Sequence, residues 1–403
     1  MEVKRVLLVG YNGANNTGSE ARLLTIIKEV REVLGEGTEI TVPTLNEGNL
    51  RRYLSEGPHL RIEPIPAIYF PALRRLVREH DLIMLVEGSC YMDSWTSALL
   101  WAFLAATRYA HREGRCSLAY GVDAGRLSPS NQRRVRRDAS RTDLILTRTR
   151  AAADRLRGWG VTADIEVTAD NAFLFPPGQG GDIGRIWPGE EVAGMAVVNF
   201  NLWPVVIRPW GRRDLCYRWP YYFSHSSARR TATEELAKGL SRQADRLVEE
   251  HGKGVALIAM ESLDEPLARM VMERSRNPRE MRVFSSREHG AEEMAQILRG
   301  LDLLITSRYH AGVLSMASGV PQIAVGHDLR LRDLYGEAGI LDECFISHHS
   351  PRLWEDLSSK VDLLVEDGSM RNRILRANRE HVERGRRNKE LLREFVMERG
   401  WMA

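Results

Sequence analysis

A chain of 403 residues exceeds what one hydrophobic core ordinarily supports, so two domains are expected. A hydrophobic content of 43% with 28% charged residues is typical of a globular rather than a disordered chain, and a formal net charge of +3, small for this length, favours an enzyme with a local anion site over a nucleic-acid binder or a polybasic membrane-surface protein. Cys90, Cys116, Cys216 and Cys344 stand far apart without a CxxC pair, which points to reduced cytoplasmic thiols rather than a zinc site or a disulfide framework.

In chain order, strand-like runs fall at 4–9, 39–44, 82–86, 117–122, 144–148 and 165–169, with helical patterns in most of the gaps. Parallel strands need crossover connections, so this alternation predicts a parallel sheet wrapped by helices. "ALLWAFLAA" at 98–106 is too short to span a bilayer and is expected as a buried helix. The Pro/Gly-rich "FLFPPGQGGDIG" at 173–184 reads as a linker, after which strand-like runs resume at 194–202, 254–261, 281–286, 302–307 and 321–326. From Pro204 to Ser227 the chain is aromatic and basic, neither helical nor strand-like, and is expected as an ordered loop for a sugar-like acceptor or an oligomer contact. A charged amphipathic helix, bent or broken near Gly385, closes the chain.

Two turns carry chemical interest. "VGYNGANNTGSEA", residues 9–21, sits between the first strand and its helix, where helix-terminal N–H groups face an anion. Its glycines do not give GxGxxG, and Ser19-Glu20 replaces the Lys-Ser/Thr pair of a nucleotide-hydrolysing loop, which argues against such an enzyme. The second, "LDLLITSRYHAGVLSMASGVPQIAVGHDLR" at 301–330, reads strand, short loop, small-residue helix, strand. Arg308 and His310 fall where the strand exits and the helix begins, a placement suited to a phosphate or carboxylate.

Several blocks, in order along the chain, resemble the polysaccharide pyruvyl transferase family. They are "GYNGANNTGSEA", "DLIMLVEGS", "GRCSLAYGVDAG", "LILTRTRAAADRLRGWGV", "VTADNAFLF" and above all "SRYHAGVLSMASGVPQIAVG". The resemblance implies an α/β fold of two Rossmann-like doubly wound domains facing a cleft, as in GT-B glycosyltransferases. The domains are expected at 1–178, on the acceptor side, and 179–375, on the donor side, with 376–403 as a C-terminal helical extension packing back. It further implies phosphoenolpyruvate as donor substrate, no cofactor or metal, and a saccharide or glycolipid acceptor. By similarity His310 is the general acid, while Arg148 and Arg308 hold the donor, with Arg330 in place of a lysine common in relatives. The opening loop, with Asn15 and Asn16, would line the cleft or support domain closure.

Glu87 stands where relatives often have a glycine, either as a base for the acceptor hydroxyl or as a structural cap. Asn199, Asn201 and Glu261 end second-half strands and suit hydroxyl groups, and His327 with Asp328 follows the last long strand, at the site or in a simple surface turn. Adjacent His348 and His349 are expected on the surface rather than at a metal. No transmembrane segment is expected, while a peripheral membrane association and a homo-oligomer stay open. The rival readings are a GT-B glycosyltransferase using a nucleotide sugar and a catalytically retired binding protein.

Overall fold

A computed structural model describes every residue except 1–4, 95, 177–182, 186, 188–189, 203–204, 209–214, 225 and 402–403. The middle of the expected linker and parts of the aromatic, basic insert therefore lie outside the described residues. Contacts divide the chain into two compact units, the first comprising Met1–Ala14, Ser19–Phe175 and His381–Ala403, and the second Asn15–Gly18 and Pro176–Glu380.

The first unit is built on seven strands: β1 (Arg5–Val9), β2 (Glu39–Thr44), β3 (Leu60–Pro64), β4 (Leu82–Leu85), β5 (Cys116–Val122), β6 (Leu144–Thr147) and β7 (Asp164–Val167). They form one parallel sheet in the order β3-β2-β1-β4-β5-β6-β7. The central strands are buried on both faces and so read as largely apolar runs. Val6 and Leu8 of β1 join Leu23, Ile26 and Met84 on one side, whereas Leu7 and Val9 join Ile83, Leu85 and Leu104 on the other. Leu391, Leu392, Phe395 and Val396 from the last helix complete the first of these clusters.

The second unit continues with β8 (Val192–Ala196), β9 (Val205–Ile207), β10 (Leu215–Arg218), β11 (Tyr221–Phe223), β12 (Gly254–Ala259), β13 (Met281–Ser285), β14 (Leu303–Thr306), β15 (Gln322–Gly326) and β16 (Phe345–Ser347). Six of these make a parallel sheet ordered β13-β12-β8-β14-β15-β16, and β10-β11-β9 make a separate antiparallel ribbon. The stretch expected as a loop at 204–227 thus contains this ribbon. Besides the ribbon, two strands escaped the sequence pattern: β3 alternates charged and apolar residues at a sheet edge, and β16 has only three residues.

The C-terminal helix is not a separate extension. It runs from Ser369 to Glu398, continues through Gly385 without interruption, and changes unit at His381. Among the described residues no helix is long and apolar enough to cross a membrane.

In each parallel sheet the strand order reverses once, between β1 and β4 in the first and between β8 and β14 in the second. Connections leave such a point in opposite directions and open a crevice at the strands' carboxyl ends, where open α/β sheets bind ligands.

Candidate functional site

At the first reversal, Val86, Glu87 and Gly88 follow β4, and the helix Thr17–Leu34 begins nearby. The Glu87 carboxylate accepts hydrogen bonds from Ser19 Oγ at 3.1 Å and Ser89 Oγ at 3.2 Å. Glu87 is thus a fixed acceptor held by two hydroxyls, with 7% of its surface exposed.

Beneath it lies a buried charge cluster. Arg148 donates from Nε to Asp123 Oδ2 at 2.9 Å and from Nη1 to Asp170 Oδ2 at 2.7 Å. Arg22 Nη1 lies 2.8 Å from the same Asp170 oxygen, and its Nη2 donates to the carbonyls of Val86 and Tyr120. All four side chains have no exposed surface. Arg155, 22% exposed, adds a third guanidinium 3.6 Å from Asp123, so both buried carboxylates face cations, as their burial demands. The donor-binding expectation for Arg148 therefore meets a different arrangement: it does stand at a strand's carboxyl end, but carboxylates engage its fork. A methyl group on Gly88 would come within 2.5 Å of Arg148 Nη1, so the guanidinium reaches the end of β4 only because residue 88 has no side chain.

The neighbouring Glu20 is also buried. Burial raises its carboxyl to about 7, partly offset by Arg52 and Asn49.

At the second reversal, Arg308 is the N-cap of the helix Tyr309–Met316, directly after β14. Its Nε donates to Asp264 Oδ2 at 2.7 Å, its Nη2 to Asp264 Oδ1, and its Nη1 to Glu261 Oε2 at 3.0 Å. Burial opposes the charge on Arg308, but the two carboxylates overcome it and hold the guanidinium above its ordinary range. Burial raises Glu261 and Asp264 more than Arg308 lowers them. Arg308 is therefore not an open anion fork here either. Glu261 was expected to meet a hydroxyl and instead holds Arg308 and accepts from Asn16 Nδ2 at 3.2 Å.

Residues Asn15–Gly18 count with this second unit. Asn15 adopts a left-handed backbone with φ of 57°, which asparagine tolerates better than most residues. Its side-chain amide donates to the Ser286 carbonyl at 3.0 Å, and Ser286 Oγ donates back to Asn15 Oδ1 at 2.7 Å. The Thr17 N–H bonds the Met260 carbonyl at 2.9 Å. These bonds lay the backbone of Gly18 against the half-buried His310, where a methyl on residue 18 would fall 1.9 Å from Nδ1. The loop that resembles a phosphate cradle thus uses Asn15 and Asn16 on the ends of β13 and β12 and its last glycine on an imidazole, while Asn12 donates to the Leu8 and Pro43 carbonyls.

The remaining expected residues are more structural. The strand expected over 194–202 ends at Ala196, because Asn199 caps the short turn Phe200–Leu202 through the Asn201 N–H and spends its amide on Thr233. Asn201 is half-buried and its carbonyl accepts from Arg229. Arg330 pairs with Asp328 at 2.5 Å, and the Asp328 side chain also caps the helix Leu329–Glu337. Burial drives His327 down to about 4, leaving a neutral imidazole at physiological pH. His348, expected at the surface, is half-buried with Nδ1 on the Gly326 carbonyl at 2.9 Å, whereas His349 is exposed.

Sequence reasoning missed Asp123, Asp170 and Asp264, the carboxylates that engage the arginines. The first two lay inside the quoted blocks "GVDAG" and "VTADNA", each just beyond a strand, and that position was the available signal. Ser286, at the end of β13, offered none.

The chain is similar in structure to several solved proteins. A putative UDP-N-acetylglucosamine 2-epimerase from Listeria monocytogenes matches with a TM-score of 0.65 at 12% identity, over 100% of this chain and 98% of that one. The S. aureus MnaA–UDP co-structure matches with a TM-score of 0.65 at 9% identity over 99% and 98%. Anabaena Alr3699/HepE in complex with UDP-glucose gives 0.58 at 14% over 98% and 99%. At such identities the likeness concerns the fold, which is of the two-domain GT-B type. No curated protein matches the sequence. A family model described as polysaccharide pyruvyl transferase, however, matches residues 16–328, a span that takes in Asn16, Glu87, Arg148, Arg308 and His310, and the chain belongs to that family.

Proposed function

We propose that this enzyme moves the enolpyruvyl-derived group of phosphoenolpyruvate onto two hydroxyls of a saccharide or glycolipid precursor, forming a pyruvate ketal and releasing phosphate. The observation that carries the reading is the imidazole of His310, set on the first turn of a helix at the second strand reversal and seated on Gly18.

The chemistry assigns roles as follows. A proton from the His310 imidazolium adds to the enol carbon and generates an oxocarbenium-like centre. One sugar hydroxyl attacks that centre, the phosphate then leaves, and the second hydroxyl closes the ketal. An anionic phosphate beside His310 favours the protonated imidazole that the first step requires. The first-turn N–H groups of the helix Tyr309–Met316 face the same side as its N-terminus and favour a negative ligand.

Arg308 enters this reading with its partners. It reaches the donor by exchanging Glu261 for a phosphate or carboxylate oxygen while Asp264 keeps it aligned on the opposite edge. Arg148 is assigned a positioning role, setting the end of β4 through Gly88, and Glu87 is assigned to the acceptor hydroxyl.

The test is phosphate release from phosphoenolpyruvate across a panel of saccharide and glycolipid acceptors. Release that depends on the acceptor, and is lost in His310→Ala with an unchanged melting temperature, supports the reading. Wild-type turnover in that variant removes His310 from the role of acid. The rival, a glycosyltransferase taking a nucleotide sugar, draws on the UDP complexes among proteins of similar fold. Acceptor-dependent UDP release from a nucleotide sugar would favour it.

A further inference from the structure

The two helical layers that cover the first unit's sheet differ in charge. Helices Phe70–Glu79, Ser97–Arg112 and Pro129–Ala139 pack side by side on one face, burying Leu73, Leu76, Leu100, Phe103, Leu104 and Val135 against the strands. Together they hold nine arginines, no lysine and two acids, Glu79 and Asp138, an excess of seven positive charges. Counting Glu63 and Glu113, which pair with this layer from outside the helices, leaves five, still more than the net +3 of the whole chain. On the opposite face the helix Thr17–Leu34 is balanced, with Arg22, Lys28 and Arg31 against Glu20, Glu29 and Glu32.

Eight of the nine arginines are exposed, and Arg108 is half-buried. Glu63, Glu79 and Glu113 pair with Arg74, Arg75 and Arg78, and the buried Asp138 serves Arg108 and Arg137. Arg112, Arg133, Arg134 and Arg136 have no acidic partner among the described residues, and Arg134 lies over the Trp101 ring at 5.4 Å. An apolar edge adjoins these charges. Ile68, in the loop that enters the first of the three helices, is 57% exposed, and Tyr69 beside it donates to the Ala98 carbonyl of the second. Phe70, Arg74 and Arg78 follow at four-residue intervals along one outward stripe. With Pro71, Arg75 and Tyr109 they line a hollow of about 500 Å³, apolar in its floor and cationic at its rim.

We infer that this three-helix layer docks the protein on an anionic lipid surface. Guanidinium pairs with headgroup phosphate, and Ile68 and Phe70 supply apolar side chains for the acyl boundary. Self-pairing through the same face would set like charges against each other. A nucleic-acid strand would satisfy the arginines but leave Ile68 in water. A bilayer interface offers phosphate and hydrocarbon together. The inference rests on this surface and does not depend on the reaction chemistry.

Flotation of the full chain with phosphatidylcholine vesicles, with and without phosphatidylglycerol, tests it. Binding is expected only with phosphatidylglycerol and should weaken as salt is raised. Arg133→Gln with Arg136→Gln should lower the partition coefficient about tenfold. Lys28→Gln with Lys238→Gln removes two exposed charges elsewhere and should leave it within about twofold. Ile68→Ser should lower it about fivefold. Because all these side chains are exposed, the melting temperature should be unchanged. Equal binding to neutral vesicles overturns the inference, as does an equal loss in the two charge variants or indifference to Ile68→Ser. Binding to single-stranded RNA that is as tight as to vesicles, and insensitive to Ile68→Ser, reassigns the face to a polyanion.

Discussion

The two strand reversals use the same parts for different ends. At the first, the fully buried Arg148 and Arg22 face the fully buried Asp123 and Asp170, Arg155 joins Asp123 from a partly exposed position, and a carboxylate, Glu87, stands at the strand end. At the second, one guanidinium faces two carboxylates and a half-buried imidazole stands beside it. In the first set cations outnumber acids and Arg22 and Arg148 are fully buried, so these arginines stabilise a strand end. The second has one cation for two acids, so on the proposed reading Glu261 has to give up its place on Arg308 before a donor anion can take it. An arginine at a strand's carboxyl end is thus no guide to ligand binding until its carboxylates are counted.

The largest expected effect breaks the comparison on the catalytic side. His310→Ala should lower phosphate release by roughly 10²–10⁴-fold, the range for loss of a general acid, without altering the urea midpoint. The opposite pattern is expected at the first reversal. Arg148→Ala leaves buried Asp170 to Arg22 alone and buried Asp123 to the looser Arg155, and should cost about 3–5 kcal/mol in urea unfolding. A stable Arg148→Ala protein with a raised KM for the donor would return Arg148 to donor binding.

Gly18→Ala sharpens the role of the opening loop. The added methyl would lie 1.9 Å from His310 Nδ1 and must displace the imidazole, so kcat should fall by about 100-fold while the fold survives. Activity near wild type would mean that the geometry around His310 is not limiting.

The smallest effect is electrostatic. Glu20 titrates near 7 in the folded chain against an ordinary 4.5, so the fold favours its protonated form. Its contribution to stability is complete below pH 4.5 and is lost as pH rises through about 7. Glu20→Gln should therefore be more stable than wild type by about 1–3 kcal/mol at pH 8, and the difference should shrink towards pH 4.5 in paired urea titrations.

The parallel sheets were legible because buried strands such as β1, β4 and β14 are continuous apolar runs. The ribbon was not. Its strands are antiparallel, only three or four residues long and separated by Pro and Gly, so none is long enough for a period to show. For the site, sequence position put Arg148, Arg308 and His310 at the ends or starts of elements, where they stand. Partners were invisible. Asp264 meets Arg308 across 44 residues and Ser286 meets Asn15 across 271, separations that no local pattern encodes. Asn199 and Asn201 illustrate a different failure: a hydrophobic run was extended past Ala196 although asparagine's side chain competes for backbone groups and ends strands in turns.

Calorimetric melting of the full chain with phosphoenolpyruvate or with UDP bears most directly on the donor. The account predicts that phosphoenolpyruvate raises the melting temperature, as a ligand of the folded state must, while UDP leaves it unmoved. Stabilisation by UDP with no response to phosphoenolpyruvate would contradict it.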